Sequence, residues 1–271
     1  AIKKRSELLA IMKKVNMKSF ALKLALFLTP VQAAYASPPE DPELSIAFTF
    51  SMPPYLNLDK NSGVEHDIII AAFNRAGVDK LKILNVHYLR AIELAKAGTV
   101  DAIVSNSANG IYLKKLPEIK KSQPTLSYVD CAISLRERNL KLESIKDYYD
   151  KRIWAFKSAS LVFSPEFQLM TQKNTQYDED VDQEKQLEML AMGRIDIAIS
   201  DRNIFTAKLG NTGKYTQEDF RFDSLGPTTQ RAIRSNNADL ITRFNKGLST
   251  LHKSGEYQSI LDQYAKMYSP T

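Results

Sequence analysis

Two rhythms of apolar and polar positions follow one another along this chain. Ala91 to Ala97 carries apolar residues at helical spacing, Gly98 suits the left-handed position that ends a helix, and Val100-Asp101-Ala102-Ile103-Val104 reads as a short strand. The same unit returns later. Asp182 to Met192 is helical in pattern, Gly193 ends it, and Ile195, Ile197, Ala198 and Ile199 form a nearly continuous apolar run, as in a strand covered on both faces. The first strand ends in Ser105-Asn106-Ser107 and the second at Asp201. In open α/β sheets ligands bind beyond the carboxyl ends of the strands, so these polar ends are the first candidates for a site.

The other segments read as support for two such units. Leu44 to Phe50 is a strand that stops at Met52-Pro53-Pro54-Tyr55, where the prolines force an extended loop. Glu65 to Ala76 is a helix with Ile68, Ile69, Ala72 and Phe73 on its apolar side, Leu81 to Val86 a strand, and a helix begins near Leu89. This β-α-β-α-β order belongs to an open α/β lobe. Tyr128 to Leu135 reads as a strand crossing to a second lobe, and Thr228 to Ile233 as the crossing back. Between them lie a short helix at Glu143 to Tyr149, a strand at Arg152 to Phe156, helices at Leu161 to Gln172 and Asn203 to Leu209, and a surface stretch from Gly210 to Phe222. Asp239 to Lys253 and Glu256 to Lys266 are amphipathic helices assigned to the first lobe. The predicted fold class is therefore α/β: two open α/β lobes joined by a two-stranded hinge, with 1–36 as leader, 37–129 plus 230–271 as lobe one and 130–229 as lobe two.

Charge changes this picture only at the N-terminus. The formal net charge is +6, but residues 1–36 hold seven basic residues and one acid, and the remainder balances at 30 basic and 30 acidic. The basic character belongs to the leader and does not argue for nucleic acid. An apolar core at Leu24 to Leu28 and small residues at Ala34 and Ala36 read as a cleaved secretory signal, which implies a periplasmic protein. The single cysteine, Cys131, excludes an internal disulfide and reads as a small buried apolar residue. Glu65-His66-Asp67 are adjacent and do not converge on a helix, so an acid-rich helix start is expected rather than a metal site. No cofactor or metal is expected.

The pattern resembles family 3 extracellular solute-binding proteins, which have the type II periplasmic binding protein fold and include amino-acid ABC-transporter substrate-binding proteins. Met52-Pro53-Pro54-Tyr55 followed by Glu65-His66-Asp67-Ile68 is similar to the family's opening motif, and Gly98-Thr99-Val100-Asp101-Ala102-Ile103 to its "GxxDAI". Gly193-Arg194-Ile195-Asp196 is similar to its "GRxDA…D", and Asn245 to Leu261 to its closing helix motif. The departures fall on the ligand side. Leu113 stands where many amino-acid binders carry the arginine that clamps a carboxylate, with Lys114 and Lys115 just after it. Met52 stands where an aromatic residue stacks on the ligand, and Lys157-Ser158-Ala159 replaces a "QGT" loop. Lysine grips a carboxylate less well than a planar guanidinium, and leucine not at all. His87-Tyr88-Leu89-Arg90-Ala91 resembles a segment of a less characterised branch and puts Arg90 near a helix start, where the dipole favours anions.

The resemblance implies a binding protein, not an enzyme. It would capture a small polar solute, an amino acid or a relative, by hinge closure and deliver it to a membrane permease, as a monomer. A dehydratase-like enzyme of the same fold and a sensory ligand-binding protein are the alternatives. Asp201 matches the family's carboxylate for a ligand amino group, and its other reading is the N-cap of the following helix. Arg90 is the candidate for the missing cation, with Lys157 in reserve. Tyr55, Tyr88, Ser105, Asn106, Ser107, Ser158 and Ser160 complete the expected ligand contacts, and loop or packing chemistry is the alternative for each.

Overall fold

The computed structural model describes residues 43–49, 51–106, 119–183 and 185–268. The leader and the 107–118 stretch, with Ser107, Leu113, Lys114 and Lys115, lie outside the described residues. Two mixed sheets form the scaffold. Sheet one has the order β2-β1-β3-β11-β4, with β5 also paired to β11, and sheet two the order β10-β6-β9-β7-β8.

In sheet one, β1 (Leu44–Phe48), β2 (Leu81–Asn85) and β3 (Ala102–Asn106) are parallel, and β11 (Thr229–Ser235) runs antiparallel beside β3. Strands β4 (Lys120–Lys121) and β5 (Leu126–Tyr128) pair with β11. Period-2 alternation divides β1 between two cores. Ile46 and Phe48 face helices α1 (Val64–Arg75), α6 (Ala238–Lys253) and α7 (Glu256–Tyr268), whereas Ala47 faces α2 (Tyr88–Lys96). The two C-terminal helices thus return to the first sheet: Leu240, Ile241, Phe244 and Leu248 pack against Ile68, Ile69, Ala72 and Phe73 of α1.

Sheet two contains β6 (Asp130–Leu135), β7 (Ile153–Phe156), β8 (Tyr177–Asp180), β9 (Ile197–Asp201) and β10 (Phe220–Ser224). Cys131, Ile133 and Leu135 of β6 meet α4 (Lys185–Ala191) and α5 (Arg202–Thr212) on one face, while Ala132 and the β9 residues Ile197 and Ile199 meet α3 (Pro165–Lys173) on the other. Cys131 is a fully buried free thiol.

The structure refines the sequence reading in several places, β4 and β8 being strands that it did not foresee. The expected continuous strand from Tyr128 to Leu135 is two strands, β5 and β6, one in each sheet, with Val129 alone between them. Strand β10 lies where a surface stretch was expected. It returns along β6 as the partner crossing, and its apolar residues Phe220 and Phe222 are two apart, too short a signal to register as a strand in sequence. No helix among the described residues is long and apolar enough to cross a membrane.

Candidate functional site

The loop after β1 is fixed before any side chain is considered. Met52 donates its amide to Leu56 O at 2.7 Å, and the first amides of α1 are taken by this loop: Val64 N–H to Pro54 O and Glu65 N–H to Tyr55 O, each 2.9 Å. Gly63, at φ +131°, passes so close that a Cβ there would stand 2.4 Å from Tyr55 O, which only glycine permits. The helix end thus has its acceptors within the chain, and Tyr55 is held in place. Its ring lies 4.4 Å from that of Tyr128, and its hydroxyl donates to Asp201 Oδ1 and accepts from Asn203 Nδ2, both at 3.0 Å. Burial, and then the Asp201 charge, push the phenol well above its ordinary value.

Asp201 is buried at the carboxyl end of β9 and caps α5. Oδ1 accepts from the amides of Asn203 at 2.9 Å and Ile204 at 3.0 Å, and Oδ2 from that of Val129 at 2.7 Å. The capping reading of Asp201 is therefore realised, with a hydroxyl from the loop after β1 added to it. Burial raises its pKa, against the pull of those donors. Directly across β6 and β9 stands Asp130, whose Oδ2 accepts from Thr229 Oγ1 at 3.0 Å. Burial, and then the Asp201 charge, push Asp130 up to about 6. Behind Tyr128 lies a fully buried ion pair. Arg231 of β11 donates Nε to Glu65 Oε1 at 3.0 Å and Nη2 to Oε2 at 2.8 Å, with its guanidinium 5.1 Å from the Tyr128 ring centre. Glu65, Arg231, Tyr128, Tyr55 and Asp201 thus form one polar and aromatic column where the two sheets meet. Sequence reasoning saw Glu65 only as an acid at a helix start. Nothing local marks its partner 166 positions away.

A second group forms on the other face of sheet one. Ser105, nearly at the end of β3, accepts from Arg234 Nε at 2.9 Å, and Tyr88 opens α2 beside them. Both Ser105 and Tyr88 are buried. Asn106 ends β3, opposite Arg231 in register. Arg90, expected to face a ligand, instead stands in solvent with its side chain 63% exposed and Nη1 3.3 Å from Glu93 Oε2. The reason is helical periodicity: Tyr88, Ala91, Ile92 and Ala95 take the buried face of α2, which leaves Arg90 on the outside.

The loop after β7 is closed by the chain itself. Ser158 sits at φ +71°, and the amides of Ser158 and Ser160 each donate to Glu179 at 2.7 Å, joined by the Tyr177 hydroxyl at 2.8 Å. Burial works against the Glu179 carboxylate, but these donors outweigh it and hold its pKa below the ordinary value. Lys157 is exposed. A crevice of about 130 Å³ lies between the loop after β1 and the first turns of α5, walled by Met52, Pro53, Gln183, Ile204 and Lys208. Among the described residues no group of three or more His, Cys, Asp or Glu could hold a metal ion.

The model of the bacterial extracellular solute-binding proteins, family 3, matches residues 44–267. Among solved structures, a substrate-binding protein of an ABC uptake transporter from Streptococcus pneumoniae with bound histidine is 18% identical, with TM-score 0.62, over 82% of this chain and 92% of that one. An amino acid ABC transporter substrate-binding protein from the same organism, bound to L-arginine, is 14% identical with TM-score 0.62, over 84% and 97%. A histidine kinase sensor domain described as similar to periplasmic binding proteins is 15% identical with TM-score 0.64, over 82% and 95%. No curated protein sequence matches the chain.

Proposed function

The chain belongs to the bacterial extracellular solute-binding proteins of family 3, and from that premise we propose that it captures a small polar solute between its lobes and delivers it to an ABC-type transporter. The observation that carries this reading is the Tyr55–Asp201 contact. A carboxylate at a strand end of sheet two meets a hydroxyl from the first loop of sheet one, at the crossing strands. A hinge opening there breaks both hydrogen bonds of the Tyr55 hydroxyl, to Asp201 and from Asn203, and a ligand ammonium takes the place vacated at Asp201 Oδ1. The crevice of about 130 Å³ supports the need for opening. It is well below the roughly 300 Å³ at which ligand pockets begin, so an amino-acid-sized solute enters only when the lobes part.

In this reading lobe one is 37–129 plus 230–271, lobe two is 130–229, and the leader is removed after Ala36 on export, so that N-terminal sequencing of the exported protein finds Ser37. Thermal-shift screening with amino acids, polyamines and small carboxylates tests the function. A binder raises the melting temperature in proportion to the logarithm of its concentration above Kd, and a flat response across all three classes would refute solute capture. The sensory reading has its own support in the sensor-domain neighbour and in the internally filled Ser158–Ser160 loop. Co-purification of a permease with the liganded chain separates the two readings.

A further inference from the structure

Asp130 stands where the chain passes from one sheet to the other. Strand β5 ends at Tyr128 in sheet one, β6 begins at Asp130 in sheet two, and Val129 alone separates them. The return passage is pinned to the same residue. Asp130 O accepts from the amide of Leu225, just past β10, and Asp130 Oδ2 from Thr229 Oγ1, at the start of β11, both at 3.0 Å. Movement of one sheet against the other therefore alters the surroundings of this side chain.

The Asp130 carboxyl is partly buried and directly opposite Asp201 in the β6–β9 register. Two carboxyls sharing a dry site do not both ionise readily, so the pair retains a proton above the ordinary range. Asp201 accepts four hydrogen bonds and the Asp130 side chain one, so that proton settles on Asp130. Neither carboxyl forms an ion pair with a described cation. Arg231 of β11 is bound to Glu65 of α1, Arg221 of β10 to Asp223, and Arg202 at the start of α5 lies over the Phe222 ring at 5.0 Å. Burial keeps the Tyr128 phenol on β5 and the adjacent Cys131 thiol neutral, and the Tyr128 hydroxyl has no hydrogen-bond partner among the described residues.

We propose that Asp130 is a proton switch at this junction: its neutral form favours the arrangement in which Tyr55 meets Asp201, and its ionised form favours parting of the sheets. The inference rests on the solute-capture reading and adds to it a control of opening by pH. Parting admits water to both carboxyls, which relieves their burial and screens their repulsion. The open arrangement then holds the proton less tightly, and closure takes one up. In the closed arrangement burial, and then the Asp201 charge, push Asp130 from the ordinary 3.8 up to about 6. Below about pH 4 both arrangements are protonated and closure is at its most favoured. Between about pH 4 and 6 only the closed one keeps the proton, and each pH unit costs closure up to about tenfold. Above about pH 6 neither keeps it.

The experiment is small-angle scattering on the chain from Ser37, without solute, from about pH 4.5 to 7.5, in the native protein and in Tyr55→Phe, which lacks the hydroxyl contact. The radius of gyration is expected to rise with pH in a step below about pH 6.5, as the closed-to-open ratio falls roughly ten- to a hundredfold. Asp130→Asn, neutral at every pH and still able to accept from Thr229, is expected to abolish the step. Thr229→Val deletes the one donor that favours the Asp130 carboxylate, and is expected to move the step to higher pH, which a merely structural contact would not do. Circular dichroism establishes that each variant folds, and should Asp130→Asn fail to fold, the displaced step of Thr229→Val carries the test. A radius independent of pH in both the native protein and Tyr55→Phe overturns the proposal. So does a step that the folded variants leave unchanged. Solute capture is judged apart, by the thermal-shift response at a fixed pH. A response without a step leaves capture standing, and a step without any response refutes capture and not the switch.

Discussion

At the scale of single residues, the junction of the two sheets gathers more carboxyl groups than cations, and Asp130 registers the excess. Its pKa rises from the ordinary 3.8 to about 6, first by burial and then by the Asp201 carboxylate across the β6–β9 ladder. Between pH about 4 and 6 the unfolded chain has released this proton and the folded chain keeps it. The native state then binds more protons, so stability falls as pH rises through that window. Asp130→Asn removes the fall. Melting curves from pH 4 to 7 are expected to show the native protein losing on the order of 1–3 kcal/mol relative to the variant, and parallel curves would mean that Asp130 does not titrate there. Asp201 has the same sign of shift, but its four hydrogen bonds oppose it and identify it as a structural cap. That cap was legible in sequence as one of two readings, because an aspartate at a strand end and before a helix suits it. The partner Tyr55 was legible only as an aromatic in a proline loop, since the hydroxyl's target is 146 residues away.

At the scale of elements, the packing of α6 on α1 is set by one small residue. A Cβ on Gly247 would stand 1.9 Å from Ala72 O, inside the backbone of the facing helix, so the two helices must separate to admit it. Gly247→Ala is expected to cost about 1–3 kcal/mol by this overpacking, net of the small gain in helix propensity. Gly210 in α5 supplies the control, because nothing lies within 4 Å of its added Cβ. Gly210→Ala is expected to be neutral or to stabilise by up to about 1 kcal/mol. Chemical denaturation of the two variants checks the pair, and equal effects would show that the close approach of α1 and α6 is not what Gly247 serves. The amphipathic pattern announces that α6 has a buried face and not which helix meets it. Likewise the periodicity that puts Tyr88 inward on α2 turns Arg90 outward, a consequence of helix phase that spacing from the helix start alone does not reveal.

At the scale of the molecule, the two sheets are tied by the Tyr55 hydroxyl and by Ile204, which packs into the core of sheet one from the first turn of α5. The hydroxyl bond runs to a buried carboxyl group, so its loss is worth about 1.5–3 kcal/mol. Tyr55→Phe keeps the ring against Tyr128 and deletes that bond together with the one from Asn203, and under the proposed solute capture is expected to shift the lobes toward the open arrangement by roughly ten- to a hundredfold in population. Small-angle scattering should record a larger radius of gyration in the variant, and identical curves would remove the Tyr55–Asp201 contact from any role in closure.

The sequence by itself determined the parts whose signal is local. Helix-Gly-strand units, proline loops and apolar periodicity depend on neighbours within a few residues, and they sufficed for the α/β class, the two-sheet plan and the candidate role of Asp201. Tertiary structure alone decided what long separations bring together. It split the crossing at Val129 and paired β10 with β6, found Arg231 for Glu65, turned Arg90 to solvent, and filled the Ser158–Ser160 amides with Glu179. Each of these depends on which surface a residue meets after the chain has folded back on itself, and no pattern of nearest neighbours encodes that.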